Sequence, residues 1–262
     1  MRYDEYIDTA SALAKKAGAI IRENFRGDFE KSYKSCPSDL VTEVDRRSED
    51  LITRGLIEKF PSHAIVGEEA AGAVNKMPDG YAWYVDPLDG TTNFVYGIPF
   101  CSVSIGLARN GKMLAGVVYD PFHDECFTAA AGCGTFLNSR PVRADSSRKT
   151  LREALLVTGY PENKKFNERL RNINYPKITG SCANLRALGS AALELAYISC
   201  GRLSGFWEHT LMPWDVAAGS LLVAEAGGRV TDINGKKLVL ESYLSIAATN
   251  SLIHEELLKI LL

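Results

Sequence analysis

The chain of 262 residues carries 30 Lys plus Arg against 32 Asp plus Glu, a formal net charge of −2, with 24% charged and 46% hydrophobic residues. Charges of both signs are interspersed, which excludes the electrostatic footprint of a nucleic-acid or anionic-membrane binder, and no apolar run reaches membrane-spanning length. A small-molecule partner is the simpler expectation, on a chain long enough for two closely packed halves that share a cleft.

The opening Met1-Arg-Tyr-Asp-Glu-Tyr6 carries charge where a secretory signal needs an apolar run, so a soluble cytoplasmic protein is expected. Six cysteines form no Cys-x-x-Cys pair and are expected as reduced core residues. Four histidines stand at no zinc-like spacing, so any metal is expected to be held by oxygen.

In chain order, Ile7, Ala10, Leu13, Ala14, Ala17, Ile20, Ile21 and Phe25 fall on one face of a predicted helix over residues 6–25, with Gly27 as a stop. Asp39-Leu-Val-Thr42-Glu-Val-Asp45 follows a polar link. Thr42 with Asp45 three residues later predicts the cap of a second helix bearing Leu51, Ile52, Leu56 and Phe60, ended by Pro61. Position alone makes Asp45 a dipole partner in that helix's first turn. Ala64-Ile-Val66 predicts a short strand that delivers Gly67-Glu68-Glu69 to a sheet edge. Paired glutamates are ordinarily solvated, yet parallel placement of this strand would bring Glu68 beside the next motif.

That motif is Trp83-Tyr-Val-Asp86-Pro-Leu-Asp89-Gly-Thr91-Thr-Asn93-Phe94. Bulky β-favouring residues predict a buried strand from which Asp86 emerges; Pro87 and Gly90 then force a turn. Two aspartates three apart on such a turn can converge on a hard cation such as Mg²⁺, although Asp-Pro and Asp-Gly are also ordinary turn dipeptides. Beyond it, Val103, Ile105 and Leu107 alternate, Asn110-Gly111 marks a hairpin into residues 113–119, and short strands are predicted near 125–128 and 135–137. A polar stretch over 143–148 is the expected seam.

After the seam, strand and helix alternate. A strand over 154–158, a polar helix over 163–172, a helix opened by Gly189-Ser190-Ala191-Ala192, a strand over 203–208, a helix from Pro213-Trp214-Asp215 to Gly227, a strand over 245–249 and a short helix from Asn250 are predicted. The helix start at Ser190 would point N–H groups outward at an anionic or hydroxylated ligand, or else mean close packing.

Four separated pieces, the Asp39 to Asp45 run, Gly67-Glu68-Glu69, the DPLDGTTNF string and Trp214-Asp215-Val-Ala-Ala-Gly with Glu225-Ala-Gly-Gly228, resemble the inositol monophosphatase family in residues, order and spacing over nearly the whole chain. The resemblance implies an α/β fold, a five-layer αβαβα sandwich. Its expected halves are residues 1–145 with a largely antiparallel sheet and 146–262 with a mixed one, the metal cleft lying between them. It implies a Mg²⁺-dependent, lithium-sensitive phosphatase, commonly a homodimer, acting through a water nucleophile without a covalent phosphoenzyme.

By the same resemblance Glu68, Asp86 and the Leu88 carbonyl would hold one Mg²⁺, and Asp86, Asp89 and Asp215 a second. A third, weaker ion would sit near Glu68. Asp45 and Thr91 would orient and deprotonate the water, the N–H groups of Gly90 and Thr91 would hold phosphate, and Asp89, Ser190, Ala191, Glu208 and Asp215 would face the leaving group. Inositol 1-phosphate is the first substrate expected; fructose 1,6-bisphosphate, histidinol phosphate and adenosine 3′,5′-bisphosphate are the alternatives. Glu208 could instead pair with Arg186 or Arg202. A non-catalytic divalent-cation module is the other class, and Thr91, Thr92 and Asp45 speak against it, because a pure cation site needs no water-positioning hydroxyl beside a spare carboxylate.

Overall fold

A computed structural model describes residues 3–33, 40–69, 78–160 and 174–261. Helix α1, Asp4–Asn24, leads to strands β1, Lys31–Tyr33, and β2, Leu40–Thr42, which pair antiparallel. Helix α2, Glu43–Lys59, follows directly, and its start is the predicted capping box, Thr42 and Asp45 each accepting or donating across the first turn. The predicted apolar stripe of α1 is buried at Ala10, Leu13, Ala14, Ala17 and Ile21.

Strands β3, Ala64–Gly67, and β4, Tyr81–Asp89, then helix α3, Thr91–Val95, and strands β5, Ser102–Arg109, β6, Lys112–Asp120, β7, Glu125–Ala130, β8, Gly134–Leu137, and β9, Arg140–Val142, complete the first sheet. Its seven strands lie in sequence order, β3 and β4 parallel and every later pair antiparallel. The Asn110-Gly111 hairpin forms as predicted, both residues at positive φ.

A second sheet has five strands: β10, Leu155–Thr158, β11, Asn184–Arg186, β12, Gly205–Leu211, β13, Arg229–Thr231, and β14, Leu244–Thr249, in the spatial order β11-β10-β12-β14-β13. Strand β10 runs parallel to β11 and β12, whereas β14 is antiparallel to β12 and β13, so the sheet is mixed as expected. Among the described residues the helices of this part are α4, Tyr175–Ser181, α5, Ala191–Ser199, α6, Pro213–Glu225, and α7, His254–Leu261.

Three helical layers enclose the two sheets. The apolar face of α1 and α2 packs on Trp83, Val85, Ile105 and Val117 of the first sheet. Helices α5 and α6 fill the space between the sheets, with Leu195, Val216 and Ala217 against Tyr84 on one side and Phe206 and Ile246 on the other. Ile178 of α4 and Leu257 of α7 cover the far face around Trp207. The result is the αβαβα sandwich. Close approach of α6 depends on Gly106 and Gly116, which face each other across β5 and β6: a Cβ on either would come within 2.9 Å of the Ala218 backbone.

Some boundaries differ from expectation. The helix predicted to open at Gly189 begins at Ala191, and the terminal helix begins at His254 because Asn250 Oδ1 first caps a turn through the N–H groups of Leu252 and Ile253. The edge strands β9, β11 and β13 span three residues each, too few to show an alternation. Helix α4 was readable in principle from Asn174, which caps Lys177 N, and Pro176 at its start. The polar helix expected over 163–172 lies outside the described residues. No helix among the described residues is long and apolar enough to cross a membrane.

Candidate active site

Asp86 and Asp89 are an odd number of residues apart, which in a regular strand would put their side chains on opposite faces. The ladder corrects this. Asp86 pairs with Ser104 and Asp89 with Ser102, so three steps along β4 match two along β5, and the extra residue at Pro87-Leu88 returns both carboxylates to one side. Asp86 Oδ1 accepts the Leu88 N–H at 3.0 Å, which holds the bulge. Gly90 then turns at φ +100°, in the space where any Cβ would stand 2.9 Å from the Gly189 carbonyl oxygen.

Three other elements bring their carboxylates to this turn. Parallel pairing of Gly67 with Val85 places Glu68 next to Asp86, and the Glu68 N–H continues the ladder to the Val85 carbonyl at 3.1 Å. Asp215 lies in the first turn of α6, its Oδ2 accepting the Met212 N–H at 2.7 Å. Asp45, in the first turn of α2, uses its two oxygens differently: Oδ2 caps Thr42 through both N–H and hydroxyl, and Oδ1 accepts the Thr91 hydroxyl at 2.9 Å. Thr91 Oγ1 also stands 3.0 Å from the Leu88 carbonyl.

The electrostatics follow from crowding. Burial holds the Asp86 carboxyl well above the usual carboxylate range, and the charges of Glu68, Asp89 and Asp215 and a hydrogen bond shared with Glu68 push the same way. Burial raises Asp89 to about 6 against the opposing pull of its bonds from Ser190 and Ala192. Asp45 is likewise raised to about 6 by burial, with the Glu68 charge adding to it. A cation relieves all of these at once. The donors are hard oxygens, and the one nearby thiol, Cys101, is pushed well above its usual value by burial and the surrounding carboxylates, so it stays protonated. The residues present therefore suit a Mg²⁺-type ion, gathered but not closed: among the described residues no group of three or more His, Cys, Asp or Glu already stands arranged to hold an ion. Several of their oxygens are turned instead to the N–H and hydroxyl groups just named.

Of the two readings open at the Ser190 helix start, N–H groups free for a ligand or close packing, the second describes the structure. Ser190 Oγ and the Ala192 N–H donate to Asp89 Oδ2 at 2.6 and 2.7 Å, so the amino end of α5 is directed at a carboxylate of the protein itself. Glu208 stands half-buried on β12 in the other sheet, close over Gly159, where a Cβ would lie 2.1–2.2 Å from its carboxylate. The arginines weighed as its partners are engaged elsewhere. Arg202 forms a two-pronged pair with Glu125 and lies over the Tyr197 ring, and Arg186 bonds Asn184 Oδ1.

Three residues have a place here to which the sequence assigned no role, Asn93 among them although it stands in the central motif. Glu49, one turn after Asp45 on the same face of α2, is buried and accepts the Glu69 N–H at 2.7 Å, and the missing Cβ of Gly67 makes room for its carboxylate. Asn93 and Glu194 both bond the turn before Ser190. The i, i+4 spacing from Asp45 was a readable signal for Glu49; Glu194 sat unmarked in an apolar helix.

Comparison with known proteins completes the picture. The model of the inositol monophosphatase family matches residues 2–262. Inositol monophosphatase 3 of Solanum lycopersicum is 42% identical over 264 aligned residues, which cover 98% of this chain and 97% of that one. A protein named Nus factor SuhB from Pasteurella multocida is 39% identical over 256 residues, covering 97% and 95%. The solved structure of inositol monophosphatase from Anabaena (Nostoc) sp. PCC 7120 superposes with a TM-score of 0.84 at 37% identity, over 100% of this chain and 96% of that chain.

Proposed function

The chain belongs to the inositol monophosphatase family and is a phosphoric monoester hydrolase, and from that premise we propose that it releases phosphate from a monophosphate of a neutral polyol, inositol 1-phosphate first, with Mg²⁺ as cofactor. Glu68, Asp86, the Leu88 carbonyl, Asp89 and Asp215 would hold two or three ions between them. When bound, Mg²⁺ supplies positive charge to the phosphate oxygens and acidifies water. The protein's own part is orientation and proton transfer. Thr91 accepts a hydrogen bond from the attacking water while donating to Asp45, and Asp45, ionised above about 6, is the sink for the proton. The N–H groups of Gly90 and Thr91, at the amino end of α3, hold phosphate oxygens. Asp89, held by Ser190 and by the amino end of α5 at Ala191 and Ala192, faces the leaving group with Asp215 and Glu208.

The observation that carries this reading is the Thr91 to Asp45 hydrogen bond beside the Asp86 and Asp89 bulge. A site that only bound a cation would have no use for it. The test is a panel of inositol 1-phosphate, histidinol phosphate, fructose 1,6-bisphosphate and adenosine 3′,5′-bisphosphate, assayed after exhaustive chelation and again with Mg²⁺. Turnover that requires Mg²⁺ and favours inositol 1-phosphate is expected; full turnover in excess chelator overturns the mechanism, and a preference for a bisphosphate overturns the substrate assignment. Ca²⁺ should restore little, since it takes looser, larger coordination than Mg²⁺.

A further inference from the structure

One turn outside the residues assigned above is bonded on every side. The N–H groups of Leu188 and Gly189 both point at a single oxygen, Glu194 Oε1, at 2.9 and 3.3 Å. Their carbonyl oxygens take Asn93 Nδ2, at 2.7 and 3.4 Å, and the same nitrogen donates to the Phe100 carbonyl at 2.7 Å. Gly189 adopts φ +86°, and its carbonyl packs against the bare Cα of Gly90. Immediately after the turn come the Ser190 hydroxyl and the Ala192 N–H that hold Asp89.

A carboxyl inside an apolar helix is costly unless it satisfies donors that would otherwise be buried unpaired. Glu194 is almost wholly buried in α5, among Ala192, Leu193, Leu195 and Ala196, and the two backbone donors are what it satisfies. Asn93 belongs to α3, which directly follows the strand that carries Asp86 and Asp89, whereas Glu194 belongs to a helix between the sheets. The 188–189 turn is thus gripped from the metal side by one residue and from the helix side by the other.

We propose that Asn93 and Glu194 are positioning residues that brace the 188–189 turn so that Ser190 and Ala192 fix the aim of Asp89. The brace rests on the assignment of Asp89 as a metal ligand made above. Groups that orient a ligand from behind are worth roughly 10–100-fold in metal affinity, and this pair acts through backbone geometry with no contact to the ion.

The test is calorimetric titration of the full chain with Mg²⁺ alone, in wild type, Asn93→Ala, Glu194→Ala and Glu194→Gln, alongside amide hydrogen exchange at Ala192 in the metal-free protein. Asn93→Ala and Glu194→Ala should each weaken Mg²⁺ by about tenfold and speed exchange at Ala192. Glu194→Gln should stay within about twofold of wild type, because an amide oxygen accepts the same two N–H bonds. A purely structural residue would not show that rescue. Wild-type affinity in Asn93→Ala, or a Glu194→Gln variant as impaired as Glu194→Ala, overturns the brace. Should Glu194→Ala fail to fold, Asn93→Ala and Glu194→Gln still decide it. If wild type itself bound no Mg²⁺, the metal assignment would fall instead, and unchanged exchange at Ala192 in Asn93→Ala would separately overturn the brace.

Discussion

Thr91 gives its hydroxyl to Asp45 across 46 positions of sequence, 2.9 Å apart, joining the first turn of α3 to the first turn of α2. Because the hydroxyl also lies 3.0 Å from the Leu88 carbonyl, one proton serves two acceptors, and the oxygen's lone pairs remain for a water. Thr91→Val should therefore lower kcat by about 100-fold, the lower end of what a positioned proton path contributes, and shift Mg²⁺ affinity by less than about threefold, since no ion is assigned to the hydroxyl. Thr91→Ser should retain most activity. The measurement is kcat together with a calorimetric Mg²⁺ titration; parallel loss of turnover and metal affinity contradicts the role.

Asp86, Asp89 and Asp45 have folded-state values raised above the ordinary carboxylate value of 3.8. The native state then binds more protons than the unfolded chain, so their contribution is full below that value and is lost as pH rises, through about 6 for Asp45 and Asp89. Without metal, Asp86→Asn should melt higher than wild type at pH 8, by at least about 2 °C, the shift expected from roughly 1 kcal/mol in a chain of this size. The difference should vanish near pH 4. With saturating Mg²⁺ the order should reverse, because only the wild type gains binding energy. Melting curves in chelator and in Mg²⁺ at the two pH values check this, and a lower metal-free midpoint for the variant at pH 8 speaks against carboxylate crowding.

His254 works in the opposite direction. It is buried between Thr231 Oγ1, 2.9 Å from Nε2, and Thr249 Oγ1, 3.0 Å from Nδ1, and burial lowers it from 6.5 to about 4. Here the unfolded chain binds the extra proton, so stability from this residue is present above 6.5 and falls as the pH drops toward about 4. His254→Gln should cost about 1–3 kcal/mol at pH 7 through a lost buried bond, yet show a shallower decline in stability between pH 6.5 and 4. Denaturant titrations of both proteins across that window measure the slopes; equal slopes would exonerate His254.

Much of this was legible in the sequence because the signals were local. The capping pattern at Thr42 and Asp45 and the parallel neighbourhood of Glu68 and Asp86 both formed as expected. Position alone makes Asp45 a dipole partner in the first turn of α2, and only the resemblance gives it a second role; in the structure one carboxylate oxygen caps and the other reaches Thr91. What escaped was long-range. Glu194 finds its donors through a turn whose path depends on Gly90 and Asn93 about a hundred residues earlier, and the extra residue that puts Asp86 and Asp89 on one side shows only in the register with β5. The Ser190 helix start stays open between two readings for the same reason, because the Asp89 that comes to it lies about a hundred residues earlier, on the first sheet.

If Glu208 faces the leaving group as proposed, substrate choice turns on it, and Gly159 gives a second handle on that carboxylate. A carboxylate facing the leaving group accepts hydrogen bonds from the hydroxyls of a neutral polyol and repels a second phosphate. Its position depends on Gly159, where an added Cβ would meet the Glu208 carboxylate at 2.1–2.2 Å. Since that carboxylate ends a flexible side chain, Gly159→Ala should displace it and leave the fold intact. Both Gly159→Ala and Glu208→Gln should then reduce kcat/KM for inositol 1-phosphate by about 5- to 150-fold, the equivalent of roughly 1–3 kcal/mol for a lost buried pairing. Neither should reduce kcat/KM for fructose 1,6-bisphosphate, whose second phosphate loses a repelling neighbour. The two variants act on one carboxylate by different means, one by charge and one by space, so the double variant should be no worse than the more impaired single variant. Additive losses, or a ranking of the two esters unchanged in both single variants, would remove Glu208 from the leaving-group side and leave Asp89 and Asp215 as the carboxylates that face it.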